Sequence, residues 1–120
     1  MLNSTGVVAI GESASQYAKG SDRSIAMGIR AMWNTNDCYA SLGIGINALL
    51  SSSGCNYITA SGEDAFRGSQ TSNYSIAVGH GAFAYSTGVN NSVAVGQNAA
   101  ESSYSANGYN NFIGWQAGLR

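Results

Sequence analysis

The sequence predicts an all-β protein: a parallel β-solenoid built from seven coils of 17 residues. Three observations lead there. A short phrase recurs at a fixed step, as in "SIAVGHGAFA" (Ser75–Ala84) and "SVAVGQNAAE" (Ser92–Glu101). Apolar residues alternate with small ones inside each phrase, the period of a strand. Proline is absent, as suits a stack whose backbone N–H groups pair with the coil above or below.

The copies justify the elements in turn. "VAIGESA" occupies Val8–Ala14, "IAMGIRA" Ile25–Ala31, "LGIGINA" Leu42–Ala48 and a weaker "TASGEDA" Thr59–Ala65. The two opening phrases follow, then "NFIGWQA" at Asn111–Ala117. Their marker glycines are Gly11, Gly28, Gly45, Gly62, Gly79 and Gly96, each 17 residues after the last, and Gly114, one residue late. Helix-pair repeats need ~33 residues or more, whereas 17 suits short strands and turns. Residues 1–6 are a lead-in, and 7–120 form a single repeat domain. At ~4.8 Å per coil, seven coils make a rod roughly 30 Å long.

Alternation assigns the faces. Val8/Ile10, Ile25/Met27, Leu42/Ile44, Ile76/Val78 and Val93/Val95 are expected to fill the interior, with Ser61 a polar substitute in the weak fourth copy. The residues between them, Ala9, Ala26, Gly43, Ala60, Ala77 and Ala94, then point outward. So does the column Val7, Ser24, Ser41, Ile58, Ser75, Ser92 and Asn110. A flat Ala/Gly strip lets another backbone approach closely, so it is the expected contact of a homotrimer. The column Asp22, Tyr39, Asn56, Asn73, Asn90 and Gly108 is rich in residues that tolerate left-handed geometry and marks a turn.

Composition bounds the function. The net charge is −1 and charged residues make up 9% of the chain, against ~25% in an ordinary domain. No basic stripe points to nucleic acid. No apolar run reaches the ~20 residues of a membrane span. Cys38 and Cys55 share a column in adjacent coils, which places them within disulfide range or as stacked thiols. Metal-type cysteine spacing is absent, no cofactor is implied, and His80 is the single histidine. Glu63 and His80 are stacked neighbours, either a surface ion pair or an acid–base pair. No nucleophile–base–acid order accompanies them, and enzymatic activity is not expected.

Aromatic residues fall mostly between the phrases. Phe66 and Phe83 share a column and are expected in the core. Trp33, Tyr39, Tyr57, Tyr74, Tyr85, Tyr109 and Trp115 have small polar neighbours. They suit either a ladder that protects the turns or a recognition surface.

"NSVAVGQNAA" (Asn91–Ala100) and "SIAVGHGAFA" resemble the head repeats of trimeric autotransporter adhesins, and "NNFIGWQAG" (Asn110–Gly118) resembles the similar repeats of bacteriophage tail fibres. The resemblance covers nearly the whole chain and implies a left-handed β-roll, three chains side by side. The 17-residue step exceeds the usual adhesin repeat, and no secretion signal, neck, heptad run or membrane anchor is read. The expectation is therefore a segment of a trimeric fibre on a virion or an extracellular cell surface. Its expected work is structural support and weak binding to a glycan or protein receptor, with further fibre segments joined at one or both ends. A head fragment of a bacterial adhesin is the alternative. An end-to-end filament and a solenoid acyltransferase are weaker ones, and the acyltransferase period does not fit. An ice-binding solenoid would need a long column of Thr-like residues, and none exists here.

Overall fold

The computed structural model describes residues 5–104 and 108–118; residues 1–4 of the lead-in lie outside it. Seven three-residue strands follow one another: β1 (Val8–Ile10), β2 (Ile25–Met27), β3 (Leu42–Ile44), β4 (Thr59–Ser61), β5 (Ile76–Val78), β6 (Val93–Val95) and β7 (Asn111–Ile113). They form one sheet in chain order, every pair parallel. The fold is thus a parallel β-solenoid, with like positions of the phrase in register: Ala9 beside Ala26, Ala60 beside Ala77. Isolated parallel bridges such as Lys19–Asn36–Ser53–Gln70–Thr87–Tyr104 close another side. The molecule measures 35 × 23 × 16 Å. Among the described residues no helix is long and apolar enough to cross a membrane.

After each marker glycine, every second residue takes positive φ, as at Ser13, Ser15 and Tyr17, or Arg30, Met32 and Asn34. Such left-handed geometry costs about 1–2 kcal/mol per non-glycine residue. The compensation is backbone pairing between coils. Ser15 N–H donates to Ala31 C=O at 2.9 Å, Met32 N–H to Ala48 C=O at 2.8 Å, and Arg30 N–H reaches back to Glu12 C=O at 2.9 Å. These turns are therefore hydrogen-bonded along the stack as the strands are.

The two faces of the sheet are the reverse of the sequence expectation. Ala26, Ala60, Ala77 and Ala94 have no exposed surface, and Gly43 is buried with them. Ala9 shares their register and is exposed in the first strand. This column faces the interior of its own chain, so it does not supply a contact between chains. The Ile and Val residues beside it point outward, and Ser61 lies half-buried on that outward side.

The physical reason is the wall opposite. Ser15, Met32, Leu49, Phe66, Phe83 and Ala100 form a fully buried column, and their larger members fill the interior against the sheet. A Cβ added to Gly43 would already lie 3.2 Å from Met32 Cγ and 3.5 Å from Leu49 Cδ1, so only small residues fit the facing strand. At the C-terminal coil the sizes are exchanged. Phe112 stands in the alanine column and occupies the space where Gly118 has no side chain. Its ring meets Phe83 edge-on, with centroids 6.0 Å apart. Phe66 and Phe83 are core residues, their centroids 5.2 Å apart.

The serine column expected outside is also inside. Ser24, Ser41, Ser75 and Ser92 are buried, with Ile58 among them. Buried hydroxyls require partners, and these find them between coils. Ser41 Oγ donates to Cys55 C=O at 3.0 Å and accepts Ile58 N–H at 3.2 Å. A parallel ladder runs through Ser52, Ser69 and Ser86. The serines thus pair backbone groups of neighbouring coils that the strands leave open.

Candidate functional site

The exposed face of the sheet carries two largely apolar columns and is bordered by a third, mixed one. Val8, Ile25, Leu42, Thr59, Ile76, Val93 and the polar Asn111 form one, and Ile10, Met27, Ile44, Ser61, Val78, Val95 and Ile113 the next. The third follows the marker glycines: Glu12, Ile29, Ile46, Glu63, His80, Gln97 and Trp115. Ile10 is 56% exposed, Ile29 43%, Ile76 42% and Ile113 73%. Parallel sheets are ordinarily covered on both faces. The strip runs roughly 29 Å at ~4.8 Å per coil, is interrupted in the fourth coil by Thr59 and Ser61, and is left uncovered by the single chain.

The aromatic candidates do not converge on one site. Tyr39, Tyr57 and Tyr74 form a ladder: Tyr39 meets Tyr57 edge-on at 5.7 Å, and Tyr57 stacks on Tyr74 at 4.8 Å with rings 6° from parallel. Arg23 caps Tyr39, its guanidinium carbon 5.6 Å from the ring centre and its Nη1 donating to the Tyr39 hydroxyl at 2.7 Å. Trp33 packs edge-on against Tyr17 at 5.9 Å, and Arg67 lies over Tyr85 at 5.8 Å. Tyr109 is exposed in the last coil, and Trp115 projects from the apolar face. Stacking consumes the inner ring faces of the ladder, which leaves edges and hydroxyls for any ligand.

Beside the ladder, the Asp22/Asn column has a specific task. Asn56 Oδ1 accepts the Tyr39 N–H at 2.9 Å, and Asn90 Oδ1 accepts that of Asn73 at 3.1 Å. The left-handed residues are one position later, at Arg23, Ala40, Tyr57, Tyr74 and Asn91. The turn expected from this column is present, shifted by one residue, because the amide serves the ladder rather than the turn dihedral.

Cys38 and Cys55 are free thiols, fully buried in adjacent coils. Their sulfurs replace serine hydroxyls: Cys38 Sγ donates to Ser52 C=O at 3.6 Å and Cys55 Sγ to Ser69 C=O at 3.4 Å. The Cys38 thiol is pushed far above the ordinary range, first by its hydrogen bond with the Cys55 sulfur and then by burial. That same hydrogen bond lowers the pKa of Cys55.

Glu63, Asp64 and His80 meet at the edge of the apolar face, with ligand atoms within 4.8 Å of one another. The sequence pairing of Glu63 with His80 overlooked Asp64. Reading the columns around residue 63 together, rather than singly, was the signal for it. Asp64 also pairs with Arg67 at 3.2 Å and accepts Asn47 Nδ2–H at 3.0 Å. No family model, curated protein or solved structure matches this chain.

Proposed function

We propose that the chain is a structural and surface-binding segment of a homotrimeric fibre. Three left-handed rolls of 17-residue coils stand side by side, each burying its Ile/Val strip against its neighbours. The observation that carries this reading is that strip: branched apolar residues recur on an outward sheet face in every coil but the fourth, where Thr59 and Ser61 stand, while the alanines expected to make the contact lie inside. The resemblance of the repeats to adhesin heads and tail fibres supports the same arrangement. "NNFIGWQAG" favours a phage tail-fibre or receptor-binding protein on the virion. "NSVAVGQNAA" is the observation for the second reading, the head of a bacterial adhesin on the cell surface.

Recognition falls to the tyrosine ladder on the residues away from the strip. Three chains would present each weak contact to a glycan or protein receptor three times, and avidity would raise the total. Light scattering tests the assembly. A chain of 12.3 kDa gives a trimer of about 37 kDa; a particle at the monomer mass across micromolar concentrations overturns the proposal.

A further inference from the structure

We propose that Glu63, Asp64 and His80 form a binding site for a divalent transition-metal ion, with one imidazole nitrogen and two carboxylate oxygens as ligands. The solenoid register builds the site. Strands β4 and β5 pair Ser61 with Val78, so Glu63 and His80, each following its marker glycine, lie in adjacent coils. Gly81 N–H donates to Glu63 C=O at 2.9 Å and fixes the backbone of one coil against the other there. The ligand atoms of the three residues then lie within 4.8 Å of one another, close enough for side-chain rotation to bring them onto one ion.

The rest of the two columns sets this place apart. Glu63 and His80 have Ile29 and Ile46 as counterparts in the coils before them, and Asp64 has Arg30 and Asn47. Gly81 occupies the next place in the Asp64 column and puts no side chain there. Asp64 Oδ1 is held by Asn47 Nδ2 and Arg67 Nη1, at 3.0 and 3.2 Å. A carboxylate has two oxygens and about four acceptor positions, so Asp64 keeps capacity for a cation. Asn47 supplies a separate sign. It is 9% exposed and turns its amide nitrogen to Asp64, yet its Oδ1 is buried with no partner among the described residues. Protein groups alone do not complete the polar chemistry at this spot.

The donor set selects the ion. Calcium and magnesium prefer oxygen ligands throughout, whereas an imidazole beside carboxylates suits zinc and its first-row neighbours. Two carboxylates balance the charge of a divalent ion, and three protein ligands leave a fourth position open. The site belongs to a single chain and does not depend on trimer formation.

Zinc is the probe. Calorimetric titration of the native chain with zinc should show one zinc per chain. The resonances of the single histidine should shift in step with it. His80→Gln and Glu63→Gln should each weaken binding at least tenfold, and because both residues are exposed the metal-free melting temperature should stay unchanged. Cobalt(II) distinguishes the other donors: a thiolate charge-transfer band would place the ion on Cys38 and Cys55 and overturn the proposal. Binding that His80→Gln leaves intact, or the absence of saturable binding, overturns it equally.

Discussion

Ala77 and Val78 are consecutive residues of β5, yet Ala77 has no exposed surface while Val78 is 39% exposed. The smaller residue is inside because the opposite wall, with Phe66 and Phe83, already fills the interior. Ala77→Leu should therefore overpack the roll and destabilise it by about 1–3 kcal/mol. Thermal unfolding checks this, and a melting temperature equal to that of the parent would mean that the interior has room to spare.

Ser69 ties its coil to the next: its Oγ donates to Phe83 C=O at 2.7 Å and accepts Ser86 N–H at 3.3 Å. Ser69→Ala leaves buried backbone groups without these bonds, at about 1–3 kcal/mol. Denaturant unfolding should show that loss. An unchanged midpoint would mean that the buried serines are space-fillers only.

Gly79 has φ 128°, and a Cβ there would lie 2.6 Å from the carbonyl oxygen of Gly96. Gly79→Ala should cost more than the ~1–3 kcal/mol of the backbone conformation alone, because the next coil must move as well. We expect partial unfolding of the stack, seen as lost hydrogen-exchange protection in the coils on either side. Full protection throughout would contradict the close coil spacing at the marker glycines.

The repeat, its strand positions, the parallel stack and the two core phenylalanines were legible in the sequence. A side chain period of two reveals that one face is buried but not which one. The inference that Val and Ile point inward follows the usual preference, and here it fails because a second column decides. Met32, Leu49, Phe66 and Phe83 recur at the same 17-residue step, and that column of large residues was the available sign that the facing strand must be small. The serine ladder was less legible, since Ser24 and Ser41 read as surface residues until their coil-to-coil partners are known. Asp64 was missed because its column holds Arg30 and Asn47 in the preceding coils, with no common chemistry to mark it.

The buried thiols give a pH dependence. The folded chain holds the Cys38 proton far beyond the ordinary thiol range, whereas the unfolded chain releases it within that range. Folding is thus favoured in full below that range, and the contribution is lost as pH rises through it, by up to about 1.4 kcal/mol per pH unit. Cys55, whose pKa the shared hydrogen bond lowers, ionises first in the folded chain and acts in the opposite sense, so the alkaline loss is the Cys38 contribution. Alkaline melting curves should therefore fall less steeply for Cys38→Ser than for the parent, the comparison cancelling what the two chains share. Equal slopes would show that the thiol pair does not contribute. Below that range, alkylation of either native thiol should be slow, since both are fully buried.

The most direct measurement is the solution mass of Val78→Arg, taken together with its far-ultraviolet circular dichroism. Val78 lies on the outward strip, where an arginine is harmless to an isolated roll but carries three unpaired charges into a trimer contact. We expect the parent at about 37 kDa, three times the 12.3 kDa chain, and the variant at the mass of one chain with its strand spectrum retained. A variant that remains trimeric with unchanged melting would contradict the assignment of the Ile/Val face as the surface that joins the chains.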